Sequence, residues 1–119
     1  MSSSERLVQS VLLGEAVEHA PVAILVADDE LRLVAANATA TELLGYTREE
    51  LLRLRVPDVA RYPDAEGEFE AMIAAGELVG RTTVTCKDGS RRSLRHRSSE
   101  TAIAGLAYYV AVLWPESQD

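Results

Sequence analysis

The chain has 119 residues, of which 47% are hydrophobic and 26% are charged, with a formal net charge of −7 and one cysteine. This length fits one globular domain, and no apolar run approaches the roughly 18 residues that a membrane span needs. The negative charge argues against nucleic-acid binding, because phosphates favour basic surfaces. A single cysteine fits a cytoplasmic protein without an internal disulfide.

The first predicted element is a helix from about Ser4 to His19, whose apolar residues lie on two sides rather than one. The first side consists of Leu7, Val8, Val11 and Leu12, and the second of Leu13, Ala16, Val17 and Ala20. We expect the second side to lie on the protein's own sheet and the first side to contact another copy of the chain. The alternative is a helix that frays at the end of the chain.

Two strands are predicted next. Val22 to Ala27 is apolar on both faces, which is typical of a central strand that is covered on both sides. Asp28 to Glu30 forms a turn, and the alternation that begins at Leu31 predicts the second strand. The alternation stops at Asn37, whose amide we expect to bond neighbouring backbone groups and to hold the start of a helix.

Two short helices follow the second strand. Thr39–Glu42 and Thr47–Glu50 each have the spacing of a capping box, in which a hydroxyl and a carboxylate accept hydrogen bonds from backbone N–H groups at a helix start. Gly45 ends the first helix, because glycine adopts the left-handed conformation without steric strain. Pro57 is expected to close the second helix, since the residue before a proline is disfavoured in helical conformation.

A further helix is predicted from Asp64 to Gly76, with Phe69, Met72 and Ile73 on the side that faces the core. A hairpin comes next, and its loop length sets its register. A three-residue loop, Asp88 to Ser90, pairs Val84 with Leu94, whereas a two-residue turn would place these residues on opposite faces. With the longer loop, one face holds Thr82, Val84, Cys86, Leu94 and His96. The other face is polar throughout and holds Arg81, Thr83, Thr85, Lys87, Arg91, Ser93, Arg95 and Arg97.

Positive charge is concentrated in this hairpin. Residues 81–97 include six basic residues and one acidic residue, whereas residues 1–77 include fifteen acidic and six basic residues. A solvated outer sheet face explains such a cluster, and so does a docking surface for an acidic partner. The last predicted strand, Leu106 to Trp114, is apolar on both faces and ends at Pro115.

Several of these stretches together resemble the PAS family. Asn37 to Tyr46, followed by TREELL, is similar to the family pattern N-x-A-x-x-x-L-L-G-Y and then x-x-E-E-L. Glu18 to Asn37 is similar to the family's first two strands, and Gly76 to Ser99 to its third and fourth strands around a Lys-Asp-Gly turn. The resemblance implies an α+β fold: a five-stranded antiparallel sheet with short helices on one face and an N-terminal helix. Residues 1–14 would be a helical extension, 15–115 the PAS domain and 116–119 a C-terminal tail.

The resemblance also implies a cytoplasmic sensory module that regulates an effector domain or signalling protein. Two hypotheses remain open: the domain senses a small apolar ligand and/or mediates dimerisation, or it is a ligand-free protein-interaction (dimerisation) module with a packed core. In the family, cofactors lie between the sheet and the short helices. The residues expected to line such a cavity are Leu43, Leu44, Phe69, Met72, Ile73, Val84, Leu94 and His96, while Asn37 and Gly45 are expected to be structural.

We expect neither flavin nor haem. The flavin-attachment motif of the family, Asn-Cys-Arg-Phe-Leu-Gln, would fall where this chain reads VPDVARYPD, and haem-binding members use a histidine on the helix that here reads EFEAMIAAGE. A non-covalent apolar small molecule is the remaining ligand class. No residues have metal-ligand spacing, and the acidic residues fall at turns, caps and helix surfaces. We therefore expect no metal and no enzymatic activity.

The first and last strands are neighbours in the family's strand order, and both are apolar on both faces here. One face must cover the core, so the other would be an open apolar patch of the kind that marks an interface. We expect a homodimer in which Leu7, Val8, Val11 and Leu12 contact the two-fold partner. The alternative is a monomer whose helix alone covers the patch. The sequence indicates no nucleic-acid or membrane partner.

Overall fold

A computed structural model of the chain describes residues 2–61 and 77–115. Within these ranges the helices are α1 (Ser3–Glu18), α2 (Ala38–Leu44), α3 (Arg48–Leu51) and α4 (Val56–Val59). The strands are β1 (Ala23–Ala27), β2 (Leu33–Ala36), β3 (Ala60–Arg61), β4 (Glu77–Thr85), β5 (Arg91–Ile103) and β6 (Leu106–Pro115). They form one antiparallel sheet in the order β2-β1-β6-β5-β4-β3. The predicted α+β fold, with five antiparallel strands and an N-terminal helix, is confirmed, and the two-residue β3 extends the sheet at one edge.

The strands β1 and β6 are neighbours in the sheet, as predicted. Ala23, Leu25 and Ala27 are buried, whereas the residues between them are half-buried. This alternation shows that one face of β1 covers the core. On β6, Leu113 is buried and pairs with Ala23, so it lies on the same inner face. Ile24 pairs with Val112 on the outer face.

The turn between β1 and β2 is held by Asp28. Its Oδ1 accepts hydrogen bonds from the backbone N–H groups of Glu30 and Arg32, both at 2.9 Å. The bond from the Arg32 backbone is the main reason why the pKa of the Asp28 carboxyl is lowered. Leu31 adopts a left-handed conformation with φ 64°. The second strand therefore begins at Leu33, two residues later than the alternation predicts.

One of the two predicted capping boxes is confirmed. Thr47 Oγ1 accepts from the Glu50 backbone N–H at 3.1 Å, and the Glu50 carboxylate accepts from the Thr47 backbone N–H at 2.8 Å. The Thr39–Glu42 box is wrong, because Asn37 is the N-cap of α2. Thr39 lies inside the first turn, where its hydroxyl donates to the Ala20 carbonyl at 2.6 Å.

The predicted role of Pro57 is also wrong. Helix α3 is a single turn that ends at Leu51, and Pro57 lies in the first turn of α4. A proline is favourable there because the first N–H groups of a helix have no intrahelical acceptor. Gly45, by contrast, ends α2 with φ 79° and donates its N–H to the Thr41 carbonyl at 2.9 Å.

The β4–β5 hairpin has the predicted faces but a different register. Val84 pairs with Arg92 and Thr82 with Leu94, which differs from the predicted pairing by two residues. The loop has three residues, from Lys87 to Gly89, because Cys86 donates its N–H to the Ser90 carbonyl at 2.8 Å. A shift of two residues keeps every side chain on its face, so the inner and outer sets are unchanged.

Helix α1 does not lie on the protein's own sheet, contrary to the prediction. None of its residues is buried, and Leu13 and Val17, on the side expected to face the sheet, are 66% and 45% exposed. Its last turn contacts Asn37 and Arg48, at the β2–α2 junction and on α3, rather than the strands. The helix therefore cannot cover the sheet's outer face within one chain. No helix in the two described ranges is long and apolar enough to cross a membrane.

Candidate functional site

The inner face of the β4–β5 hairpin holds three of the residues expected to line a cavity. Val84, Leu94 and His96 are each at most 2% exposed. They share a face because the side chains of an antiparallel pair alternate and directly paired positions point the same way. The inner face is thus an apolar wall that includes one imidazole.

The end of α2 packs against this wall. Leu44 is 2% exposed and belongs to the same core cluster as Val84 and Leu94, and half-buried Leu43 packs at its edge. The Leu44 carbonyl accepts a hydrogen bond from the Lys87 backbone N–H at 2.9 Å. The structure therefore brings five of the expected cavity residues to one layer between sheet and short helices. Phe69, Met72 and Ile73, with the helix expected from Asp64 to Gly76, lie outside the described residues.

A short polar row crosses the inner face. Thr82, His96 and Ser98 are all buried, and His96 Nδ1 lies 3.1 Å from the Ser98 hydroxyl, within hydrogen-bond distance. Burial lowers the pKa of His96, so the imidazole is neutral at neutral pH and has both a donor and an acceptor. A polar group in an apolar wall is what orients a small ligand. Ser98 was missed from the sequence, although its position two residues after His96 on a strand places it on the same face.

The second part of the site is the junction between α1, β1 and α2, where Asn37 is 4% exposed. Its Oδ1 accepts from the backbone N–H groups of Ile24 at 2.9 Å and Ala40 at 3.0 Å. Its Nδ2 donates to the carbonyls of Val17 at 2.8 Å and Val22 at 3.0 Å. All four hydrogen-bonding positions of the amide are used, and they reach three different elements.

Two further side chains join α1 to the short helices. Thr39 donates its hydroxyl to the Ala20 carbonyl just beyond α1. Arg48, on α3, donates from Nε to the Ala36 carbonyl at 2.9 Å and from Nη2 to the Glu18 carboxylate at 2.6 and 2.7 Å. The sequence gives no sign of this ion pair, because its partners are thirty residues apart. We call three side chains the junction clamp: Asn37, Thr39 and Arg48.

The residues expected to form the dimer contact are each more than half exposed in one chain. Leu7, Val8, Val11 and Leu12 are between 56% and 67% exposed on α1. Large apolar side chains rarely form such a continuous exposed surface on a monomeric protein. Among the side chains that the structure describes, no three His, Cys, Asp or Glu groups lie close enough together to hold a metal ion.

The comparisons with known proteins agree on one family. A family model of the PAS fold matches residues 12–103. Among solved structures, the chain is similar to a PAS domain from a two-component sensor histidine kinase, with a TM-score of 0.82 and 14% identity over 92% of this chain and 97% of that one.

It is also similar to the PAS domain of an HTR-like protein from Haloarcula marismortui, with a TM-score of 0.78 and 21% identity over 93% of this chain and 95% of that one. The PAS domain of nitrogen regulation protein NR(II) from Vibrio parahaemolyticus gives a TM-score of 0.75 and 16% identity over 87% and 97% of the two chains. At these identities the likeness concerns the fold. A search of curated proteins found no match.

The Asn37→Ala substitution should lower the free energy of unfolding by about 2–3 kcal/mol, because it leaves buried backbone groups without their partners. This exceeds the roughly 1 kcal/mol of a simple lost helix cap. Urea denaturation measures the loss, and amide exchange should become faster in α1. Thr41→Ala is the control: the Thr41 hydroxyl makes one local hydrogen bond, to the Ala38 carbonyl, so its removal should cost less than about 1 kcal/mol. An unchanged midpoint in Asn37→Ala would show that the amide does not hold the junction.

The stability of the protein should also decrease as the pH falls below about 6.5. Burial lowers the pKa of His96 in the folded state, so at such a pH the unfolded chain binds a proton at His96 more readily than the folded chain does. Replacement by glutamine, His96→Gln, should remove this part of the pH dependence. The carboxyl groups of Asp28, Glu50 and Asp88, whose pKa values are lowered by hydrogen bonds, act in a separate window below about pH 4. Identical unfolding profiles between pH 7.5 and 5 for both proteins would contradict the prediction.

Proposed function

This chain belongs to the PAS family, and we propose that it is a cytoplasmic sensory module that dimerises and regulates an effector domain or signalling protein. One similar PAS domain comes from a sensor histidine kinase, which supports a role in signal transduction. The module acts by binding and by conformational change rather than by catalysis. Its partners are a second copy of the chain and the effector, and nucleic acid and membrane are not among them.

The observation that carries this proposal is the junction clamp. It connects α2 and α3, which pack on the inner face of the sheet, to the last turn of α1 through Asn37, Thr39 and Arg48. A displacement of the short helices therefore changes hydrogen bonds that hold α1. A ligand can act on the equilibrium between two positions of α1 only if it contacts the two states differently, and the inner face supplies such contacts.

The ligand that this inner face fits is small, apolar and non-covalently bound. Leu44, Val84 and Leu94 provide apolar contacts, and the His96–Ser98 pair provides a polar contact that fixes orientation. Flavin and haem are not expected, because the attachment motifs are missing from the sequence. The second candidate function is a ligand-free dimerisation module, which the low exposure of these same residues favours. The two functions differ only in whether the layer between the sheet and the short helices holds a bound ligand.

Dimerisation through α1 is the second part of the proposal. Both apolar sides of α1 are open in the single chain, so no element that the structure describes covers them. Burial of an apolar side chain contributes about 1.5–3 kcal/mol, and a two-fold contact buries each side chain twice. The outer face of β1 and β6, which carries half-buried Ile24 and Val112, is the other apolar surface available to a second copy.

Extraction of the purified protein with organic solvent should release one small apolar compound in near-stoichiometric amount, identified by mass spectrometry. The absorption spectrum before extraction should show no flavin or haem band. Leu94→Trp, which adds bulk to the inner face, should reduce the amount that is released if the protein remains folded by circular dichroism. An extract without such a compound contradicts ligand sensing and favours the packed module. A co-eluting visible band would contradict the exclusion of flavin and haem.

Light scattering on the intact chain should give twice the monomer mass of 12.9 kDa, with dissociation on dilution. Val8→Ser combined with Leu12→Ser should give a monomer, because both side chains are more than half exposed in one chain and become buried only in the dimer. The control is Leu52→Ser, which changes a 43% exposed leucine outside α1 and should leave the dimer intact.

A monomeric mass of the intact chain at every concentration would rule out the dimer. A form without residues 1–14 that still dimerises fully would move the contact from α1 to the sheet. Both results leave the extraction experiment informative, since ligand binding and dimerisation are measured independently.

A further inference from the structure

The outer face of the β4–β5 hairpin carries four arginines, which we call the arginine face: Arg81, Arg91, Arg95 and Arg97. All four are exposed. They share the outer face because the residues that alternate with them, Thr82, Leu94, His96 and Ser98, are buried. Between residues 81 and 97 the chain has a single acidic residue, Asp88, and it lies in the turn. The face is therefore locally basic on a protein whose net charge is −7.

Two of these arginines face each other across the two strands. Arg81 and Arg95 are direct cross-strand partners, and like charges in this position weaken strand pairing. Threonine and serine fill the neighbouring positions of the same face, at Thr83 and Ser93. The side-chain types also matter. The chain has eleven arginines and one lysine, and the planar guanidinium group bonds a carboxylate through two parallel N–H donors, which an ammonium group cannot do.

Next to the arginine face lies an apolar strip. Trp114 pairs with Arg95, and Val112 pairs with Arg97. Ile24 continues the second of these rows on β1, and all three apolar residues are half-buried. Neighbouring strands are about 4.8 Å apart, so the outer face changes from cationic to apolar within about 10 Å. A surface with both characters side by side matches an occupant with the same two characters.

We propose that this outer face binds an acidic, amphipathic polypeptide segment of a partner protein. Carboxylates of the segment contact Arg95 and Arg97, which are two residues apart and therefore separated by about 6.7 Å along the strand. On a helix, side chains at i and i+4 are about 5–6 Å apart, so two glutamates one turn apart reach both guanidinium groups. The apolar side of the segment covers Trp114 and Val112. A long polyanion is disfavoured, because the charge of the whole protein repels it, whereas a short segment interacts with the local face.

The test uses a designed peptide of about 15 residues, long enough to be helical, with glutamates at i and i+4 on one side and leucines on the other. Trp114 is the only tryptophan of the chain and lies on the apolar strip, so its fluorescence reports binding at this face. Saturable binding that weakens as salt is added supports the proposal. Arg95→Glu should weaken binding about tenfold. Its thermal midpoint should not fall, because it places a carboxylate opposite Arg81.

The matched control is Arg53→Glu, which makes the same charge change at an exposed position after α3 and should leave the dissociation constant within about twofold. Equal weakening by the two substitutions would show that only the total charge matters, and no saturable change in fluorescence would show that the face does not bind the peptide. Tighter binding of single-stranded DNA, or of vesicles containing phosphatidylserine, through Arg95 would assign the face to phosphates. Any of these three results overturns the proposal. None of them bears on dimerisation or ligand extraction, which are measured without the peptide.

Discussion

The structure depends most on the four hydrogen bonds of the Asn37 amide. An amide buried to 4% exposure is tolerated only if its donors and acceptors are satisfied, and here each one meets a backbone group. Because these groups belong to α1, the start of β1 and the first turn of α2, the amide fixes three elements relative to one another. A single buried polar side chain thus does what a hydrophobic contact cannot, since it specifies one geometry rather than a general proximity.

The period of two along β4 and β5 explains both the success and the failure of the hairpin prediction. The division into an inner and an outer face follows from the sequence alone, because Val84, Cys86 and Leu94 share one parity along the strands and the arginines of these strands other than Arg92 share the other. The register does not, since a shift of two residues leaves the faces unchanged. One contact that selects the observed register joins residues distant in sequence. In this contact the Lys87 N–H donates to the Leu44 carbonyl at the end of α2. Local pattern determines which face a side chain is on, and tertiary contact determines its partner.

The same distinction separates the correct from the incorrect predictions at the helix ends. Thr47 has a capping-box partner, Glu50, three residues later, and no other residue competes with it for the N-cap position, so the box forms. Thr39 has the same spacing, but Asn37 lies two residues earlier and its better cap begins the helix. The adjacency of β1 and β6, the core face of the β4–β5 hairpin and the family were therefore predictable. The Arg48–Glu18 ion pair and the exposure of α1 were not, because they depend on where chain segments thirty residues apart meet.

The exposure of α1 has a mechanical consequence. A helix with no buried side chain gains nothing from packing within its own chain, so its direction is set by its last turn and by whatever covers it in an assembly. Its sixteen residues extend about 24 Å, and therefore a small rotation at the junction clamp becomes a displacement of several ångströms at the far end. Within the part of the chain that the structure describes, Asn37 and Arg48 connect that last turn to the short helices through side-chain hydrogen bonds. A displacement of α2 or α3 consequently has a short physical route to the exposed apolar residues of α1, through the hydrogen bonds of Asn37 and Arg48.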